Sequence, residues 1–201
     1  MRFRSDSVRP VWRSAAVWST ALILAARLGA PPSASAGSDE SDTELLQAAF
    51  EGRTEDVVSL LDGGANLEAQ NEFGQTALSL AAMSIKADAD LVKRLLDRGA
   101  KIEVKDSAGA TALIWAAKLG KTDLVRLLLD KGAEIEASDN NGGTVLMWAV
   151  TSDEVGLVDL LIKRGANLEA RDAAGNTAFV WATKQGRPEV VELLRRSGAG
   201  R

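Results

Sequence analysis

Four glutamates, Glu68, Glu103, Glu136 and Glu169, and three tryptophans, Trp115, Trp148 and Trp181, recur at fixed steps along this chain. Carboxylates in series suggest cation binding or general acid–base catalysis. A metal needs its carboxylate oxygens around one ion, at about 2.0–2.6 Å. An acid–base pair needs two carboxyls facing one another. Tryptophans in series suggest aromatic anchors for a partner, because Trp is enriched in interface hot spots. The rest of the catalytic repertoire is thin. The chain has no Cys, His or Tyr, hence no thiolate nucleophile, no imidazole base and no Cys/His zinc site. Its Ser and Thr hydroxyls therefore lack an imidazole to activate them. Neither a G-x-G-x-x-G following a strand nor a complete G-x-x-x-x-G-K-[ST] phosphate loop is present. No cofactor or metal is expected.

The elements that must position these residues form a repeat. Gly-Ala pairs begin at Gly64, Gly99, Gly132, Gly165 and Gly198, in steps of 35, 33, 33 and 33. A period of this size signals a stacked array. Five units follow, 43–70, 71–105, 106–138, 139–171 and 172–201, the first truncated at its amino end with Thr43 in the Thr position.

In the third unit, Asp106-x-x-Gly109 reads as a turn, since Asp bonds its own backbone and Gly supplies a positive φ. Thr111 is a suitable N-cap for a short helix over Ala112–Leu119. Leu113, Ala116 and Ala117 form its apolar face, and Gly120 ends it. Thr122-Asp123 then caps and opens a second helix, rich in Leu, that Gly132 stops. Neither helix is long enough to be stable alone, so stacking must supply the burial. Two units deviate. Unit two carries two extra residues within Met83–Leu91, which predicts a longer inter-helix loop. Unit four has Asp153 where Gly ends the first helix, predicting a left-handed Asp. Pro188 opens the last helix at its first position.

Stacking decides the carboxylate question. Neighbouring helices lie about 8–10 Å apart, so equivalent glutamates cannot share an ion or work as a dyad. The ladder is expected to be a solvated face. For the tryptophans, packing between units is the favoured reading over an exposed aromatic stripe.

The motif T-A-L-x-W-A-A, followed by L-L-x-x-G-A, resembles the ankyrin repeat across residues 43–201. The resemblance implies an all-α fold, an α-solenoid of five ankyrin-like helix–turn–helix repeats with β-hairpin-type loops. It also implies a protein partner bound along the loop tips and the concave face of the first helices. On that surface the non-repeating positions are Phe50, Phe73, Met83, Ser107, Ala110, Lys118, Leu119, Asn140, Asn141, Thr151, Asn176 and Lys184. Phe50, Phe73, Met83 and Leu119 would be exposed apolar anchors. The family's usual T-P-L-H is Thr111-Ala112-Leu113-Ile114 here, and both Pro and His are missing from every unit. Loss of the His hydrogen bond predicts looser turns.

The amino end reads as an address. Met1–Arg13 is basic, Ser14–Ala26 is an uncharged apolar run, and Ala34-Ser35-Ala36 is an A-x-A site. This is the pattern of a secretory signal peptide cut after Ala36; the run is too short to span a bilayer. An uncleaved anchor or an organelle transit peptide is the alternative. Residues 37–42 read as a flexible acidic lead-in. A secreted or periplasmic protein without membrane insertion follows. Five arginines against Asp6 alone give the first 36 residues +4; with −4 for the whole chain, the remainder carries −8. An acidic body is a poor partner for nucleic acid.

The expectation is a non-enzymatic scaffold that binds a protein, and a monomer. The alternative class is a small-molecule-binding or enzymatic accessory protein with a site between repeats, which needs a concave pocket with convergent polar groups. A self-associating stack is a third possibility, if a truncated first unit leaves an apolar end.

Overall fold

The computed structural model of the protein describes residues 38–86 and 89–200. The leader expected over residues 1–36 lies outside them. Ten helices among the described residues fall into five pairs. They are α1 Ser38–Glu51 with α2 Thr54–Asp62, α3 Ala77–Met83 with α4 Ala89–Asp97, α5 Ala112–Lys118 with α6 Thr122–Asp130, α7 Val145–Thr151 with α8 Val155–Lys163, and α9 Ala178–Lys184 with α10 Pro188–Arg196.

Each helix packs on its own pair mate and on its counterpart in the next pair, giving two layers. The first helices approach one another more extensively than the second helices do. Alanines at their contact face explain this: Ala48, Ala49, Ala81, Ala82, Ala116, Ala117, Ala149 and Ala182 are all fully buried. Leucines and valines of the second helices, among them Leu91, Leu95, Val125, Leu128, Leu157 and Leu161, fill the space between layers. The all-α solenoid that the resemblance implies is the fold observed among the described residues.

The local signals act largely as read. Thr76, Thr111, Thr144 and Thr177 cap α3, α5, α7 and α9, each hydroxyl accepting from a backbone N–H three residues on, at 3.4 Å. The hairpin-type loops reduce to turns closed by a backbone bond, as from Asp106 N–H to the Ala110 carbonyl at 3.0 Å. Among the described residues only Ser138 and Thr144 form a β-bridge. Gly109, at φ +79°, has a second reason to be glycine: a Cβ there would lie 2.6 Å from the Asn140 nitrogen of the next turn.

Four local expectations are corrected. Residues 38–42 are not a flexible lead-in, because α1 begins at Ser38; residue 37 of the expected lead-in lies outside the described residues. Acidic side chains at the positive end of α1 favour the helical state. Thr43 therefore lies inside a helix rather than capping one. Thr122 is likewise inside α6, whose N-cap is Lys121 with no side-chain cap bond. Asp153 is not left-handed, since no described non-Gly residue has a positive φ. The chain leaves α7 through an extended Ser152 instead, as it leaves α3 through an extended Ser84.

Those extended exits leave carbonyls without a helical partner, and the next pair supplies donors. The Lys121 ammonium donates to the Ser84 carbonyl. Arg187 donates to the Thr151 carbonyl at 3.2 Å and pairs with Asp153. The longer loop of unit two is present, starting at Ser84.

Candidate functional site

Each tryptophan is tied to the turn of its own unit. The indole N–H groups of Trp115, Trp148 and Trp181 donate to the Oδ2 atoms of Asp106, Asp139 and Asp172, all at 2.8 Å. The other carboxylate oxygen holds the turn: Asp106 Oδ1 accepts from the Ala108 and Ala110 N–H groups, each at 2.9 Å. In units three, four and five an Asp–Trp pair thus braces the turn that lacks the family's His. Adjacent turns are also joined by backbone bonds, Ser107 N–H to the Phe73 carbonyl and Ala173 N–H to the Asn141 carbonyl, both 2.8 Å.

With their polar edges held, the half-buried rings line the first-helix layer. The Lys118 ammonium sits 4.9 Å from the Trp115 ring centroid and 4.4 Å from that of Trp148. Burial pushes this amine below its usual range, opposed by the attraction of Asp139 and Asp106. One unit on, Thr151 replaces the lysine, and Trp148 and Trp181 meet edge to face at 5.3 Å. The tryptophans are therefore packing and bracing groups with ring surface shared between units. For Asp172, burial raises the carboxyl, but hydrogen bonds from Asn176, Trp181 and the backbone outweigh it and hold the group below the usual range.

The glutamate ladder is more than a solvated face. Glu68 accepts from the Lys101 N–H at 2.9 Å, Glu103 from Glu134 at 2.9 Å, Glu136 from Asn167 at 2.8 Å and Glu169 from Gly200 at 3.1 Å. Each carboxylate reaches forward and takes the backbone N–H after the Gly-Ala pair of the next unit. Unit one has no predecessor, and there Asp42 of α1 plays the part, accepting from the Asn66 N–H at 2.7 Å. The acidic start of α1 is thus an end cap. It presents exposed Glu40, Thr43, Glu44 and Gln47 rather than the apolar end considered for a self-associating stack.

The sequence-predicted partner residues divide by exposure. Phe73 and Leu119 are exposed, at 44% and 41%, as are Ser107, Asn140, Asn141 and Lys184. Phe50, Met83, Lys118, Thr151 and Asn176 are half-buried. Ala110 is buried, at 5%, because it closes the turn beneath Asp106, so it is not available to a partner. Met83 takes an N–H from Gln75 on its sulfur at 3.4 Å. Lys184 donates to Asn176 Oδ1 at 2.7 Å. Sequence reasoning missed Ile85, which is 91% exposed on the longer loop; an apolar residue where units one, three and five carry Gly was its signal.

For the alternative class, two open grooves lie at the amino-terminal end. One is lined by Ser41, Glu44, Asp56, Ser59, Leu60 and Gly63, the other by residues about Asp42 and Asn66. Neither groove contains the tryptophans. Among the described residues no three His, Cys, Asp or Glu side chains converge to hold a metal ion, and no helix is long and apolar enough to cross a membrane.

Paired helices, Thr-capped first helices and braced turns define a helix–turn–helix repeat protein. A family model described as ankyrin repeats (3 copies) matches residues 45–139 and 133–200, and the chain belongs to the ankyrin repeat family. Repeats of this family generally mediate protein–protein interaction. Comparison with curated proteins gives no match.

Proposed function

We propose that the chain is a non-enzymatic interaction scaffold that works after export and binds one protein partner as a monomer. The observation that carries this reading is the division of labour within each unit. The repeating Asp, Trp, Thr and Glu side chains are engaged in bracing the stack. The residues that break the pattern, Phe73, Ser107, Leu119, Asn140, Asn141 and Lys184, face solvent on the turns and first helices. Stacking holds that surface fixed before a partner arrives, which keeps the ordering cost of binding low. Support for export is the basic, apolar and A-x-A succession over Met1–Ala36.

The test is affinity capture from the exported fraction of the source organism with the chain as bait. A saturable protein partner is expected, with no metabolite or metal raising the melting temperature. A reproducible small-molecule shift without a protein partner would move the chain into the alternative class.

A further inference from the structure

We infer that the outer face of the fifth helix pair, α9 and α10, docks an acidic amphipathic helix of another protein. This rests on the scaffold reading and adds to it one surface and one partner chemistry.

The joints that link interior units are open on this face. Residues 33 apart hold equivalent places in units three, four and five. Leu113, Ile114, Leu146 and Met147 are buried, at 1% or less, whereas their counterparts Phe179 and Val180 are half-buried. Val125 and Val158 are fully buried, and their counterpart Val191 is half-buried. Thr183 is exposed where Ala117 and Val150 are buried. The fifth turn is open in the same way. Ser107, Asn140 and Ala173 each donate a backbone N–H to the turn before, at 2.8–3.0 Å, and the acceptors are the carbonyls of Phe73, Ala108 and Asn141. The matching carbonyl of unit five, Ala174, accepts no hydrogen bond among the described residues. A Cβ on Gly74, Gly109 or Gly142 would lie 3.3 Å or less from the next turn, but one on Gly175 would meet nothing within 4 Å. Gly200 lies against the Phe179 ring without burying it. A helix laid on this face covers the apolar groups, and a free N–H of its amino end can meet the Ala174 carbonyl. The face is held by the stack behind it, so it binds with little ordering.

Charge names the occupant. Residues 37–70 hold nine acids against Arg53, a sum of −8, which is the whole charge of residues 37–201. Unit five is the one positive unit, five bases against Asp172, Glu189 and Glu192 giving +2. The acidic pole lies four unit steps of about 8–10 Å away, beyond the screening length of about 8 Å at physiological salt. Asp172 is engaged by Trp181, Asn176 and its own turn. Glu192 carries both Arg195 and Arg196, at 2.7 and 2.6 Å, in exposed pairs that are worth little and open to exchange. The last residue of the second helix adds a sign. Asp62, Asp97 and Asp130 each take a cation from the next unit, Arg98, Lys131 and Arg164, at 2.7–3.0 Å. In unit four Lys163 breaks the series and pairs with Asp159 of its own helix. Unit five has Arg196 in this place, so the occupant presents a carboxylate where interior units present a base. A second copy does not fit. The outer face of its acidic first pair is Glu40, Thr43, Glu44 and Gln47, which would set Phe179 and Val191 against polar groups, and two fifth pairs would bring their arginines together.

The probe is a fluorescein-labelled amphipathic peptide with Leu along one helical face and Glu and Ala elsewhere, read by anisotropy with the full chain. One control carries Lys for Glu, and another the same residues with the Leu face scrambled. Binding of the Glu/Leu peptide alone is expected, weakened by about 0.5 M salt. Thr183→Glu, at an exposed helical site, should weaken it about tenfold or more, and Arg196→Glu should remove most of the salt dependence, with helical content unchanged in both variants. Equal binding of either control peptide, indifference to Thr183→Glu, or no binding would overturn the proposal. So would concentration-dependent sedimentation of the chain that Thr183→Glu abolishes, since a second copy would then be the occupant. Capture of a natural partner that needs Phe73 and ignores Thr183→Glu would refute this face and leave the scaffold reading standing.

Discussion

The indole N–H of Trp148 donates to Asp139 Oδ2 at 2.8 Å, nine residues back along the chain, while Asp139 Oδ1 accepts from Asn141 and Gly143. One carboxylate thereby fastens the turn to the first helix. Asp139→Ala removes all three acceptor contacts and leaves the indole N–H without its partner, and should cost about 2–3 kcal/mol in urea unfolding. Trp148→Phe, which keeps an aromatic ring, should cost about 1 kcal/mol from the lost hydrogen bond. Equal, negligible losses would show that the turn does not depend on the brace.

The forward-reaching carboxylates predict a second effect. Glu136→Ala should cost about 0.5–1.5 kcal/mol, because water replaces an exposed acceptor only in part. Asp42→Ala should cost a similar amount, although residue 42 lies before the first Gly-Ala pair. Hydrogen exchange localises the effect: the Asn66 amide should lose protection in the Asp42 variant and the Asn167 amide in the Glu136 variant. Unchanged protection at both would remove the end-cap assignment.

Much of this fold was legible because each unit carries its own punctuation. Thr111, Gly109 and Gly120 report local backbone needs, and local needs are what a linear pattern records. The braces were harder to see because they join positions far apart. Asp106 and Trp115 recur together in three units, and where Leu80 stands for Trp, Asn71 stands for Asp. That joint change was the available signal. The Glu ladder had none, since a carboxylate bonded to the next unit has the same periodicity as one in solvent. Asp42 falls outside the period, so only the structure assigns it a part.

Acid–base behaviour follows from Lys121. Burial pushes its ammonium down to about 8, whereas a lysine in an unfolded chain stays near 10.4. Below about pH 8 both states are protonated and the cost of burial is fully felt. Between about 8 and 10 the unfolded chain holds more protons, so stability should rise with pH, by at most about 1.4 kcal/mol per unit. Lys121→Met should flatten most of the rise; Lys118, lowered for the same reason, contributes the remainder with the same sign. With no His or Cys in the chain, few other groups titrate there. Denaturant titrations at pH 7, 8.5 and 10 check it, and a slope untouched by Lys121→Met would contradict it.

The scaffold reading stands most directly on partner capture by a surface variant. Phe73→Ser combined with Met83→Ser removes an exposed and a half-buried apolar side chain from the turn and first helix of unit two. This variant should keep wild-type helical content by circular dichroism and lose about tenfold or more in affinity for the partner captured from the exported fraction. Wild-type affinity with an intact fold would place the binding surface elsewhere and contradict the account.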